Sequence, residues 1–99
     1  MNHDIMISRS ESGPKTRYEA RVAGRDGIGE LTFARVAPNR VIADHTAVDD
    51  DLRGLGVGKA LIEQMISDAR SEGFTISPQC PFVKFEFQRN PDWSDVLNS

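Results

Sequence analysis

Three glycines at alternate positions in residues 52–61 (LRGLGVGKAL) form the segment whose spacing most directly suggests chemistry. Arg53 precedes the glycines, and an apolar helical pattern follows them. Glycines let a backbone approach a ligand closely, and the free N–H groups at a helix start can donate to a phosphate. The segment therefore indicates either a phosphate cradle or a flexible turn that merely enters a helix.

Two familiar nucleotide motifs do not fit this segment. A P-loop has Ser or Thr after its Gly-Lys pair, whereas Ala60 follows here, and Arg53 stands where the first glycine belongs. A dinucleotide fingerprint has its third glycine where this chain has Lys59. What remains is Arg53-x-x-Gly56-x-Gly58 between a predicted strand and a predicted helix. That context favours a pyrophosphate site, with Arg53 and Lys59 as counter-charges.

Cys80 and His45 are the other candidates for chemistry. Pro81 is typical of a first helical position, which makes Cys80 the N-cap, where the helix dipole favours a thiolate. The alternative for Cys80 is a small buried hydrophobe. His45 could relay a proton, because imidazole titrates near neutrality. Strand alternation, however, predicts a structural histidine on the same face as Val41, Ala43 and Ala47.

Hydrophobic periodicity predicts the elements that must position these residues. Alternation indicates a possible strand at 4–8, a loop at 9–16, and strands at 17–22, 29–36 and 41–48. The Asp49-Asp50-Asp51 run after them is typical of a solvated turn, although it could orient a basic acceptor. Residues 57–72 then predict an amphipathic helix that ends at Gly73. The residues on its apolar side are Val57, Leu61, Ile62, Met65, Ile66 and Ala69.

A short strand at 74–77 can lie parallel to the strand at 41–48 through a right-handed crossover. This arrangement puts the glycine turn at the carboxyl end of a strand, where open α/β sheets bind ligands. A helix is predicted from Pro81 to about Gln88, followed by a final turn that packs Trp93, Val96 and Leu97. The predicted fold is α/β (α+β), an antiparallel β-meander followed by a β-α-β crossover and a C-terminal helical segment.

Length and composition narrow the class of protein. The chain has 99 residues, 38% of them hydrophobic and 27% charged, as in a globular protein with an N-terminal strand and loop at 1–16 and one domain at 17–99. A net charge of −3 gives no reason to expect a nucleic-acid partner. No apolar run suits a membrane span or signal peptide, so we expect a cytoplasmic location. We also expect a monomer or weak dimer. One cysteine and two histidines predict no metal site.

Residues 53–58 (RGLGVG) resemble the acetyl-CoA pyrophosphate loop of the GNAT superfamily of N-acetyltransferases, whose pattern is Gln/Arg-x-x-Gly-x-Gly/Ala. With 45–48 (HTAV), 78–83 (PQCPFV) and 89–91 (RNP), the chain is similar to a very small GNAT-like subfamily over roughly residues 17–97. The chain is too short for the helix pair that helps ordinary GNAT enzymes form the acceptor site. Glu86 also departs from the subfamily, because an aromatic residue is expected there.

The resemblance implies a compact GNAT fold that binds acetyl-CoA as cosubstrate, needs no metal, and transfers the acetyl group to an amine on a small molecule or a protein. It implies that Thr46, Ala47 and Val48 bind the pantetheine arm through the backbone, with the Val48 N–H polarising the thioester carbonyl. It places Cys80 beside the acyl group, as acyl acceptor or acid. The expected pyrophosphate residues are Arg53, Gly54, Leu55, Gly56, Val57, Gly58 and Lys59.

Two other functions remain compatible with the sequence. One is a module that binds CoA without turnover, which suits a chain without the acceptor-forming helices. The other is an interaction domain that docks a partner through the aromatic C-terminal segment and keeps only a vestige of the glycine loop.

Overall fold

The computed structural model of the chain describes residues 4–98, which form a five-stranded sheet with two helices. Four antiparallel strands pair in chain order, and the fifth follows a helix and pairs in parallel with the fourth. The predicted meander and crossover are therefore confirmed. The elements are β1 Ile5–Ser12, β2 Lys15–Val22, β3 Gly29–Ala37, β4 Arg40–Val48, α1 Val57–Glu72, β5 Thr75–Pro78 and α2 Pro81–Arg89.

The first strand is longer than predicted, and the predicted loop at 9–16 is wrong. All eight residues of β1 pair with β2, so only Gly13 and Pro14 form the turn. The second part of β1 is hard to predict because Arg9, a charged residue, occupies a position on the face that packs against α1. Its guanidinium donates to Asp68 at 3.1 Å and to Glu72 at 2.6 Å, which lets a charged residue serve where an apolar one is expected. The division of the chain at residue 16 stays a prediction.

Helix α1 covers one face of the sheet and has the predicted bounds. All six residues of its predicted apolar side are buried, and Gly73 ends it in the left-handed conformation at φ 79°. The six buried residues of α1 pack on β-strand residues that include Tyr18, Leu31 and Phe33. A Cβ on Gly29 would lie 2.6 Å from Val57 Cγ1, so the bare glycine lets the start of α1 approach β3 closely. This contact holds the glycine loop against the sheet.

The opposite face of the sheet is polar. Arg17 lies at its centre, where its guanidinium donates to Glu30 at 2.7 Å and to Glu19 at 2.9 Å. Hydrogen bonds from Arg17 and Arg21 lower the pKa of Glu19. This alternation of apolar and charged residues is that of an antiparallel sheet with one face in water.

Helix α2 begins at Pro81 as predicted and ends one residue later than predicted, at Arg89. A 3₁₀ turn at Pro91–Val96 then buries Trp93, whose ring meets Phe87 edge to face at 5.8 Å between centroids. This turn closes the core beside β5. Within residues 4–98, no helix is long and apolar enough to cross a membrane.

Candidate functional site

One extra residue in β4 divides that strand into two halves. Thr32 of β3 pairs with His45 and the next residue, Phe33, pairs with Ala43, so Asp44 is a β-bulge. We call residues 40–43 the closed half, because they pair with β3 on one side and with β5 on the other. Residues 44–48 are the open half, since the β5 pairing ends at Ala43 in the part of the chain that the structure describes.

The bulge is held by the Asp44 side chain. Thr32 Oγ1 donates to Asp44 Oδ1 at 2.6 Å, and the Lys15 ammonium pairs with the other carboxylate oxygen. Partial burial disfavours the ionised carboxylate, but these hydrogen bonds from Lys15 and Thr32 outweigh it and lower the pKa of Asp44. The charged form of Asp44 therefore fastens the bulge to β2 and β3.

The open half of β4 directs peptide groups away from the sheet. The Asp49 N–H donates to the Ile28 carbonyl on the β3 side at 3.0 Å. Because successive peptide groups of a strand alternate in direction, Val48 and Thr46 point their N–H and C=O groups to the opposite side. An extended ligand can pair with that edge as an additional strand would. Ala47 directs its peptide groups towards Glu30 of β3 instead.

The glycine loop lines a cavity together with Val48, the last residue of this edge. Gly54 and Gly56 have φ of 81° and 80°, a left-handed conformation that favours glycine, and Gly56 is the N-cap of α1. The first N–H groups of a helix lack intrahelical acceptors, and here they belong to Val57, Gly58 and Lys59. These donors and the positive end of the helix dipole favour an anion.

Both basic and acidic side chains surround the glycine loop. Arg53 is exposed and its Nε lies 2.9 Å from Asp50 Oδ1. Asp49 and Asp51 have structural contacts, because their carboxylates accept the N–H groups of Ile28 at 2.8 Å and of Gly27 at 2.9 Å. The acidic run thus ties the β2–β3 loop to the turn that precedes the glycines.

Cys80 lies where β4 and β5 part. It is the N-cap of α2, as predicted, and its N–H and that of Gln79 both donate to the Ala43 carbonyl, at 3.1 and 2.9 Å. The thiol is half-buried, with Sγ 3.7 Å from Thr46 Oγ1. The structure therefore brings Cys80 to the first residues of the open edge.

His45 lies on a different face from the one that the alternation predicted. The bulge at Asp44 reverses the alternation, so Val41 and Ala43 are buried while His45 exposes 54% of its side chain on the polar face. Its Nε2 lies 3.1 Å from Glu30 Oε2, and Glu30 also receives the Arg17 guanidinium. The prediction of a shared face with Val41 and Ala43 is wrong because one inserted residue turns the later part of the strand over.

Two adjoining cavities of about 360 and 330 Å³ connect the open edge with the glycine loop. Phe82, Glu86 and Arg89 line the cavity at the loop. The sequence suggests Phe82 either as core or as a wall of an acyl pocket, and it does not assign Glu86 or Arg89 to the site. The spacing of the three residues puts them on one side of α2, and that periodicity is the signal that could have found them. Gly58 allows this packing, because a Cβ there would lie 2.9 Å from the Phe82 ring. We call the two cavities together the cleft.

A third cavity of about 430 Å³ lies elsewhere, beside β5 and the last described residues. It does not include the predicted site residues. Its lining includes Arg40, Ser77, Lys84, Phe87 and Leu97.

The comparisons with known proteins agree with this geometry. Residues 17–96 match the family model of GCN5-related N-acetyl-transferases. The chain is also similar to the solution NMR structure of a GCN5-like candidate N-acetyltransferase from Staphylococcus aureus. That likeness has 28% sequence identity and a TM-score of 0.74, and covers 95% of this chain and 88% of the other. No curated protein matches the sequence.

The family model spans most of the chain, and the similar structure shares its fold over nearly the whole length of both proteins. The parted strands and the glycine loop at the start of α1 fall within the matched region. The chain therefore belongs to the GCN5-related N-acetyltransferase family.

Proposed function

We propose that the chain binds acetyl-CoA in the cleft and transfers the acetyl group to an amine. The observation that carries the proposal is that the edge of β4 left open beyond Ala43 and the glycine loop line two adjoining cavities. A ligand that suits this cleft is anionic at one end and extended, with amide groups, along the rest. Acetyl-CoA has that form, with a pyrophosphate followed by the pantetheine arm.

The loop end of the cleft supports the pyrophosphate assignment. The N–H groups of Val57, Gly58 and Lys59 start a 16-residue helix, and a helix of that length has a well-developed dipole. Arg53 and Lys59 line the same cavity as the glycines and supply positive charge. Interactions of this kind select for phosphate rather than for a neutral ligand.

The open edge supports the assignment of the arm. Thr46 and Val48 direct their peptide groups towards the cleft, where they can hydrogen-bond the amides of an extended arm. In this arrangement a peptide N–H of the open edge can donate to the thioester carbonyl and stabilise the oxyanion that forms on attack. Ala47 contributes to the wall of the cavity.

The reaction needs a neutral amine, whose nitrogen attacks the thioester carbonyl carbon. The C–S bond then breaks, the CoA sulfur leaves as a thiolate that needs a proton, and the new amide nitrogen loses one. We assign the protonation of the thiolate to Cys80, whose Sγ lies 3.7 Å from Thr46 Oγ1 near the start of the open edge. We assign the acceptance of the amine proton to His45, which Glu30 orients on the polar face.

The binding step is tested with a matched pair of glycine variants. Gly56 and Gly73 flank α1 with φ of 80° and 79°, and a Cβ at either meets nothing within 4 Å. Gly56→Trp and Gly73→Trp should therefore lose similar stability, about 1–2 kcal/mol from left-handed strain. Only Gly56 lines the cleft. Calorimetry should show acetyl-CoA affinity falling at least about a hundredfold in Gly56→Trp alone. Equal affinity in the two variants would refute the pyrophosphate assignment.

Binding of CoA without turnover is the second candidate function. It is favoured by the position of His45 and Glu30. Both lie on the polar face of the sheet, whereas α1 packs on the other face and so does not help to enclose an acceptor beside them. A CoA-release assay with a panel of amines, polyamines and peptides separates the two functions. If the enzyme proposal is right, Cys80→Ala and His45→Ala keep acetyl-CoA affinity and lose turnover. Release that is unaffected by both variants would contradict the assigned roles.

A further inference from the structure

Glu86 is a buried carboxylate on α2 with an unusual environment. The residue is only 5% exposed, and within residues 4–98 its Oε1 has no hydrogen-bond partner. Its other oxygen, Oε2, lies 3.6 Å from the Arg89 guanidinium, a long contact with a side chain that is itself 60% exposed. Burying a carboxylate oxygen without a donor is destabilising. Such a position therefore points to a donor that is supplied from outside the chain.

The Glu86 side chain lines the cleft, at the cavity that also holds the glycine loop. Phe82, one turn earlier on α2, lines both cavities of the cleft, and Cys80 at the helix start contacts Thr46. Along α2 the order is thus Cys80, Phe82 and Glu86, from the point where the strands part towards the loop. Glu86 lies six positions after Cys80, which along a helix is a rise of about 9 Å.

The charge of the carboxylate restricts what it can bind. Arg53, Lys59 and Arg89 line the same cavity and offset its negative charge. A phosphate has no proton to donate at neutral pH and repels a carboxylate, so the pyrophosphate itself is a poor partner for Oε1. An N–H or O–H group is a good partner, because an ionised carboxylate only accepts hydrogen bonds.

We propose that Glu86 Oε1 accepts a hydrogen bond from an N–H or O–H group of the pantetheine arm, at the part of the arm next to the pyrophosphate. This inference rests on the proposed binding of acetyl-CoA in the cleft. The arm offers two amide N–H groups and one hydroxyl between the thioester and the phosphates. Glu86 is then a residue that recognises the arm, at a position where relatives are expected to carry an aromatic ring.

Two variants separate the hydrogen bond from the charge. Glu86→Gln keeps an accepting oxygen and removes the charge, whereas Glu86→Met keeps the length of the side chain and removes both. Calorimetry uses acetyl-CoA and a truncated CoA that keeps the nucleotide and pyrophosphate and lacks the arm. Glu86→Met should bind acetyl-CoA roughly tenfold more weakly than the wild type, and Glu86→Gln within about threefold of it. Both variants lack the charge that repels phosphate, so they should bind the truncated CoA as tightly as each other and no more weakly than the wild type.

A thermal unfolding measurement shows that the variants are folded. Glu86→Met should be at least as stable as the wild type, because it removes a buried carboxylate oxygen without a donor. If Met is not accommodated, Glu86→Leu provides the same comparison.

Two outcomes would overturn the role of Glu86. One is that Glu86→Met binds acetyl-CoA as tightly as the wild type or more tightly. The other is that it loses affinity equally for both ligands, which would show that the effect does not pass through the arm. A wild-type protein that binds neither ligand would instead refute the proposed function, and this inference with it.

Discussion

The two halves of β4 belong to one strand but have different roles. In the closed half, Val41 and Ala43 are fully buried, and the backbone pairs with strands on both sides. In the open half, His45 and Ala47 are exposed, and the backbone pairs with β3 alone in the described part of the chain. The closed half contributes to stability, and the open half presents peptide groups to the cleft.

Two features meet where the halves join. Asp44 is an extra residue against β3, so the later side chains change faces, and contacts from Lys15 and Thr32 hold this bulge in place. On the other side β5 ends at Pro78, opposite Ala43, and the chain turns into α2 at Pro81. The lesson is that a bulge on one side of a strand and the end of its neighbour on the other together give one strand a core half and an open half.

The largest effect is expected from shortening a valine in each half. Val41→Ala removes two buried methyl groups from the closed half and should lower the free energy of unfolding by about 2 kcal/mol. Its acetyl-CoA affinity should be unchanged. Val48 lies in the open half and is half-buried, so Val48→Ala should lower the free energy of unfolding by less than about 1 kcal/mol. It should also weaken acetyl-CoA binding, because Val48 lines both cavities. Urea unfolding and calorimetry measure the two quantities. A loss of acetyl-CoA affinity in Val41→Ala, together with unchanged affinity in Val48→Ala, would contradict the different roles of the two halves.

A smaller effect concerns the charge that holds the bulge. The folded protein lowers the pKa of Asp44 below its ordinary 3.8, so the unfolded state takes up its proton first as the pH falls. The stability due to the ionised form is present above that ordinary value and is lost on acidification through the folded-state pKa. Urea midpoints at about pH 6 and about pH 3 should therefore show that the deficit of Asp44→Asn against the wild type shrinks in acid. A deficit that is constant with pH would mean that charge does not fasten the bulge.

The smallest effect is expected from Thr46→Val. The substitution keeps the shape of the side chain and removes the hydroxyl that lies 3.7 Å from Cys80 Sγ. A thiol is a weak hydrogen-bonding group, so the stability should change by less than about 0.5 kcal/mol. Acetyl-CoA affinity should also be kept, since the proposed ligand contacts at Thr46 are peptide groups. A tenfold loss of affinity would show that the hydroxyl itself holds the ligand.

Most of the fold could be predicted because its elements have clear periodicity. Helix α1 was predicted with its bounds, since its apolar residues recur at helical spacing and Gly73 marks its end. The start of α2 followed from the Cys80-Pro81 pair. The end of β1 could not be predicted, because Arg9 faces α1 and is satisfied by carboxylates that are distant in the sequence.

The site was only partly predictable for a related physical reason. The Arg53-x-x-Gly56-x-Gly58 pattern identifies the loop, because left-handed turns and close approach favour glycine. The bulge has no local signal, since no Gly or Pro interrupts the segment at 41–48 and Asp44 is held by residues of two other strands. For the same reason the face of His45 could not be deduced. The place of Glu86 in the cleft depends on how α2 packs beside the loop, which is a tertiary property.

The most direct test of the account follows the backbone amides of the ¹⁵N-labelled protein by NMR during titration with acetyl-CoA. The largest shifts should fall in the open half, at Thr46 and Val48, and in the loop at 54–59, while the closed half at 40–43 stays nearly unchanged. That pattern would establish the open edge and the glycine loop as the binding site. Shifts centred on the other cavity, at Arg40, Ser77 and Lys84, or no shifts at millimolar ligand, would contradict the account.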